Sequence, residues 1–146
     1  WGVVKSFSVL SVESTKRREF FLMPRVIHFE IHSDEPDKVA DFYTRVFDWT
    51  ISKKSAGKDD YWLIWTGRSD DKGINGGMKK RQKKGPLVTI PTIDVSSIDE
   101  YVEKVTKNGG KITSPKITLK GTGYLIYCED TEGHPFSLMQ RDPHAK

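Results

Sequence analysis

The sequence predicts an α+β fold made of two tandem βαβββ modules, and three observations lead there. A stretch with apolar residues at every second position runs directly into one with helical spacing. Short alternating segments separated by Gly- and Lys-rich turns follow it. The whole order then occurs again about 60 residues later, the offset of the repeated segments.

Module one spans 25–80. "RVIHFEIHS" puts Ile27, Phe29 and Ile31 on one face and His28, Glu30 and His32 on the other, as a half-buried strand requires. Ser33 or Asp34 is then placed to cap a helix, and Pro36 sits where a first helical turn tolerates it. Val39, Phe42, Tyr43, Val46 and Phe47 form an amphipathic stripe. "WTISK" (49–53), "YWLIWT" (61–66) and "INGGMKK" (74–80) supply three strands. Module two spans 86–141. In it "LVTIPTID" (87–94) is a strand whose Pro91 implies an edge or a bulge. "SIDE" (97–100) is a capping box opening a helix striped by Ile98, Tyr101, Val102 and Val105 and stopped at Gly109–Gly110. "GKITSPK", "GYLIYCE" and "HPFSLMQR" complete the module.

The copies align at nearly constant offsets. Pairing Val39, Phe42 and Val46 with Ile98, Tyr101 and Val105 gives 59, "WLIW" with "YLIY" gives 62, and Gly73 and Arg81 with Gly133 and Arg141 give 60. On that alignment the three helix pairs should occupy equivalent core positions.

Residues 1–22 read differently from the domain at 23–146. They lack the pattern of a signal peptide, and Met23 opens the first periodic segment. Two readings stand: an extension ahead of a natural start at Met23, or an added strand, since "VVKSFSVLSV" is rich in β-branched and apolar residues. No apolar run approaches the roughly 20 residues of a membrane helix. The net charge of +4 is mildly basic and concentrated in Lys79–Lys84, read as a solvated loop because no nucleic-acid-binding pattern accompanies it. A single cysteine, Cys128, lies in an apolar run and fits a reducing, cytoplasmic setting.

With "IHFEI…DKVADFYTRVF" in one module and "DVSSIDEYVEKVTKNGGKI…YLIYCEDTEGHPFSLMQ" in the other, residues 25–141 resemble the vicinal oxygen chelate superfamily. This is the glyoxalase, bleomycin-resistance and extradiol-dioxygenase group. "DTEGHPFSL" is similar to its closing "DPDGxxxEL" signature, with Thr131 and Ser137 replacing the proline and glutamate, and "GINGGM" resembles short glyoxalase-like proteins of unassigned function. The resemblance implies a U-shaped, partly open sheet around a cavity, and a homodimer. It also implies four metal positions, which fall here on His28, Gly77, Val88 and Ser137. Only His28 is a strong ligand, because glycine and valine offer no donor and a neutral serine hydroxyl is a poor one.

The expected function is therefore metal-independent binding of a small organic molecule, with no cofactor, no membrane role and no nucleic acid. The alternative is a lyase, isomerase or dioxygenase that uses a divalent cation held by His28. His28, Glu30, Gly77, Ser137 and Met139 share the register of the ligand face, and Trp62 and Tyr124 are expected to line the cavity beside them. His28 and Glu30 are the candidate catalytic pair, the carboxylate expected to raise the imidazole pKa, with His32 at the rim.

Overall fold

The computed structural model describes residues 23–56 and 59–146. The expected N-terminal extension, and the strand that rivals it, lie outside the described residues. The first half runs β1 (Arg25–Ser33), α1 (Pro36–Phe47), β2 (Thr50–Ala56), β3 (Asp59–Trp65) and β4 (Gly76–Lys80). The second runs β5 (Thr89–Asp94), α2 (Ile98–Lys107), β6 (Lys111–Ile112), β7 (Ile117–Leu119), β8 (Gly123–Glu129) and β9 (Pro135–Arg141). The strands form one curled, open sheet in the order β2-β3-β4-β1-β5-β9-β8-β6, with β7 also on β8. Within each half the first and last strands pair in parallel, and the halves meet where β1 and β5 run antiparallel.

Pro91 does not mark an edge, because β5 sits at the centre of the sheet. The irregularity lies in its partner, where the register shifts between Val26 and His28.

Both helices begin and end for identifiable reasons. Pro36 occupies the first turn of α1, but the N-cap is Glu35, with no side-chain cap from Ser33 or Asp34. Asp48, in the left-handed region at φ 57°, ends that helix. In α2 the Ser97 hydroxyl accepts from the Glu100 amide at 3.2 Å, as the capping box predicts. Gly109 follows the C-cap Asn108 with φ +88°, a conformation glycine adopts without strain.

The helices pack on one face of the sheet, each over its own half. Trp62, Ile64 and Met78 are buried with Phe29, Ile31, Val39, Ala40, Trp49 and Ile51 around them. Val95, Ile98, Ile126, Cys128 and Leu138 form the second core with Tyr101, Val102 and Val105.

The helix alignment at offset 59 is corrected here. α1 starts at Pro36 and α2 at Ile98, so the helices superpose at offset 62. Val39 then matches Tyr101 and Tyr43 matches Val105, while Phe42 and Val46 fall on the outer side of α1, 55% and 52% exposed. The sequence shows a stripe wider than the buried one, and spacing alone does not say which edge of it meets the sheet.

Candidate functional site

The concave face of the sheet, opposite the helices, is where the two halves share chemistry. Side chains directly opposite one another on paired strands point to the same face. His28 lies opposite Thr92, and Thr92 opposite Ser137, which forms one row across β1, β5 and β9. Glu30 lies between Gly77 of β4 and Ile90 of β5, forming a second row. Tyr61 of β3 stands opposite Lys79 of β4, and Tyr127 of β8 opposite Ser137.

Glu30 is the hub. It is 8% exposed, and its Oε1 lies 2.7 Å from His32 Nε2 while accepting from the Tyr127 hydroxyl at 2.8 Å. The Lys79 ammonium is 3.7 Å from the same oxygen, 3.5 Å from the Tyr127 hydroxyl and 5.2 Å from the centre of that ring. His28 Nε2 meets the Tyr61 hydroxyl at 3.1 Å. The buried Ser137 hydroxyl donates to Thr92 Oγ1 at 2.9 Å.

This packing sets the protonation states. Burial is the largest influence on Glu30 and would raise its pKa. The His32 and Tyr127 bonds and the Lys79 charge together outweigh it and hold the carboxyl below the usual range. Burial also dominates at His28, and it lowers the imidazole pKa despite the Glu30 charge, so the expected rise is corrected. Tyr61 and Tyr127 are pushed well up, by burial first and the Glu30 charge next, so both phenols stay neutral donors. At neutral pH the floor thus includes a neutral His28 imidazole, the Glu30 carboxylate and two neutral phenols, beside the Lys79 ammonium.

A family model described as Glyoxalase/Bleomycin resistance protein/Dioxygenase superfamily matches residues 25–138. The chain belongs to that superfamily. No curated protein matches it by sequence. Among solved structures it is similar in fold to methylmalonyl-CoA epimerase from Mycobacterium tuberculosis, with a TM-score of 0.60 at 13% identity, covering 80% of this chain and 87% of that one. A glyoxalase/bleomycin resistance protein/dioxygenase superfamily member from Vibrio splendidus 12B01 gives 0.58 at 13% identity, covering 82% and 100%. Homoprotocatechuate 2,3-dioxygenase from Brevibacterium fuscum gives 0.56 at 18% identity, covering 84% of this chain and 38% of that one.

Within the superfamily fold, offset 62 moves one of the four expected metal positions. Val88 precedes β5, and its carbonyl accepts from the His32 amide, four residues from His28 along the strand. The residue of β5 equivalent to His28 is Ile90. The four corners are then His28, Ile90, Gly77 and Ser137, and a divalent cation is a poor fit to them. Ile90 and Gly77 carry no ligand atom on their side chains, and the neutral Ser137 hydroxyl, which donates to Thr92, is a poor one. A Cβ built at Gly77 would fall on the Tyr61 hydroxyl, so the phenol fills the space a ligand side chain would need. That same hydroxyl engages His28 Nε2. Among the described residues no group of three His, Cys, Asp or Glu side chains converges as a metal site would.

His28, Glu30, Gly77, Ser137 and Met139 do share the concave face. Trp62 and Tyr124 do not. Trp62 is buried under α1 and its indole donates to Asp37 at 3.1 Å, while Tyr124 packs against the α2 core. His32, expected at the rim, is bonded into the floor instead. The sequence reading missed Tyr61, Tyr127, Lys79 and Thr92. The first two could have been found from strand parity, since a pleat that sends Trp62 and Tyr124 to the helices sends Tyr61 and Tyr127 the other way. Lys79 was hidden in the basic run. The structure breaks that run up: Lys79 joins the floor, and Arg81 is held by Asp34 at 2.8 Å.

Proposed function

We propose that the protein binds a small organic molecule on this concave face without a metal, as a homodimer in a reducing, cytoplasmic setting. The observation that carries the reading is the Tyr61 hydroxyl lying over Gly77 and bonded to His28 Nε2. His28 offers a neutral imidazole, Tyr61 a phenol and Glu30 a held carboxylate. Leu63, Leu125 and Met139 extend the same face with apolar surface. Polar groups set in an apolar concavity suit a flat, oxygen-bearing ligand. Two neighbours of this fold are in complex with small organic molecules, 2-nitronate-propionyl-CoA in a Streptomyces coelicolor methylmalonyl-CoA epimerase and 3,4-dihydroxyphenylacetate in the Brevibacterium dioxygenase. His28 is the group able to take a proton from a bound ligand, and Glu30 holds the floor around it.

The test begins with Ni²⁺, Zn²⁺ and Mn²⁺. A ligand confined to the native state adds RT ln(1 + [L]/Kd), about 2.7 kcal/mol at a hundredfold excess over Kd. None of the three ions should shift the melting temperature by a corresponding amount, and His28→Ala should leave metal content unchanged. In a thermal-shift screen of aromatic and acyl carboxylic acids, wild type should respond to at least one class and His28→Ala should not. A stoichiometric cation lost on His28→Ala would overturn the reading in favour of a metal-dependent lyase, isomerase or dioxygenase.

A further inference from the structure

The cations that border the concave face are not equally engaged. Arg81, just past β4, is held by both carboxylate oxygens of Asp34, at 2.9 and 2.8 Å. Arg141, at the end of β9, is held in the same way by both oxygens of Asp94. Lys79 has no contact of that kind. Its ammonium stands 3.7 Å from Glu30 Oε1 and 3.5 Å from the Tyr127 hydroxyl. Both separations exceed the roughly 2.7–2.9 Å of a full charge-assisted bond. Glu30 does not depend on it either, since the same oxygen already engages His32 at 2.7 Å and Tyr127 at 2.8 Å. An ammonium carries three donors. The Glu30 charge and the Tyr127 ring, 5.2 Å from the nitrogen, hold Lys79 over the floor without using those donors at full strength. The side chain keeps 26% of its surface open.

The face is also graded along its strands. Lys54 of β2, Tyr61 of β3, Lys79 of β4 and His32 of β1 stand in one row, which holds two ammonium groups and no carboxylate. The opposite end is apolar, with Leu125 of β8 beside Met139 of β9. Asp94, next to Met139, is closed by Arg141. The rows of Glu30 and His28 lie between these two ends. Lys79 leans out of its own row onto Glu30, which brings the ammonium towards the row of His28. One end of the concavity thus offers positive charge with unfilled donors, and the other offers apolar surface.

We infer that Lys79 sets the charge of the molecule this face takes, which is an organic carboxylate. Its acid group replaces the two long contacts of the Lys79 ammonium with a direct one, and its apolar body lies towards Leu125 and Met139. The inference rests on the binding reading above and adds the residue that gives it selectivity. A compact ammonium on a flexible stem can follow a carboxylate over a short distance. Glu30 is the positioning residue, keeping that ammonium over the floor. A neutral amide of the same shape gains no ion pair from Lys79, and an amine meets a like charge there.

Calorimetric titration of the full chain with matched acids and amides separates charge from shape. The pairs are benzoate and benzamide, phenylacetate and phenylacetamide, and hexanoate and hexanamide. Wild type should bind at least one acid about tenfold more tightly than its amide, the size of one hydrogen bond to a charged group. Raising salt from about 0.1 M to about 1 M, which shortens the screening length from roughly 10 Å to 3 Å, should weaken the acid and spare the amide. Lys79→Met should bring the acid down to the level of its amide, and Lys79→Arg should keep the preference. The wild-type comparison needs no variant to fold, and a purely structural Lys79 would not separate an acid from its amide. Equal binding of acid and amide by wild type, or a preference that survives Lys79→Met, would overturn the inference. If both compounds of such a pair are lost on His28→Ala, the concave-site reading stands without it. If none of the six compounds binds wild type, both fall.

Discussion

The two halves of the sheet share a backbone plan, and their concave faces have diverged almost completely. Where the first half places His28 and Glu30 on its leading strand, the second places Ile90 and Thr92. Where β4 carries Gly77 and Lys79, β9 carries Ser137 and Met139. The first half holds the titratable groups, and the second supplies hydroxyls, apolar surface and one long reach, the Tyr127 hydroxyl onto Glu30. The convex side has hardly diverged, with Ile64 and Met78 answered by Ile126 and Leu138, all buried. A duplicated scaffold can thus keep its packing constant and vary the open face, since packing is judged on volume and the open face on chemistry.

Core substitutions test the constant side and carry the largest expected effect. Met78 and Leu138 are 0% and 2% exposed. Truncation to alanine removes buried methylenes and leaves a cavity, at a cost of about 2–5 kcal/mol. Chemical denaturation of the two variants should give losses within about 1 kcal/mol of each other. A loss confined to one half would show that the halves do not share the burden of stability equally.

The divergent side is tested at the hub. Tyr127→Phe removes the hydroxyl that the buried Glu30 carboxylate accepts. Hydrogen bonds to charged groups contribute about 1.5–3 kcal/mol, so a loss in that range is expected by denaturation. Ser137→Ala removes only the neutral bond to Thr92, for which about 1 kcal/mol is expected. Equal losses would mean that the carboxylate network is no stronger than the hydroxyl pair. Gly77→Ala should fall between them, because its Cβ must displace the Tyr61 phenol and with it the His28 bond. Tyr61→Phe in that background should recover only part of the loss, since the phenyl ring still occupies the space.

These comparisons also show what the sequence could reveal. The repeated α+β plan, the Ser97 cap, the glycine stop and the alternation of faces along β1 were legible, because period and turn chemistry are local properties. The face adopted by Trp62 was not. "YWLIWT" has large residues at both parities, and tertiary packing, with Trp62 and Ile64 in the core under α1 and the indole bonded to Asp37, decides which side meets α1. Phe42 and Val46 misled for a related reason, since apolar residues at helical spacing read as core even when they are left exposed. The gathering of Lys79, Tyr127 and Glu30 was hidden because it joins residues 48 and 97 positions apart.

Acid sharpens the comparison with the smallest effect. His28 is buried and its folded pKa lies below the ordinary 6.5, so the unfolded chain takes up a proton first as pH falls through that value. Stability therefore begins to decline there, because it falls on acidification wherever the unfolded state binds more protons. Glu30 has a folded pKa below the ordinary 4.5, so its contribution is intact above that value and is lost as pH falls through the folded value. Melting temperature should drop in two stages, the first starting near pH 6.5 and the second below pH 4.5. His28→Gln should remove the first stage, and Glu30→Gln should reduce the second. A remainder from Asp60 and Asp130 should persist, since hydrogen bonds depress both carboxyls below 3.8. The equivalent positions in the second half, Ile90 and Thr92, have no group that titrates in this range. If His28→Gln left the first stage intact, the His28 imidazole would not be the acid-sensitive group, and burial beside Tyr61 would not be what makes the first half respond to acid.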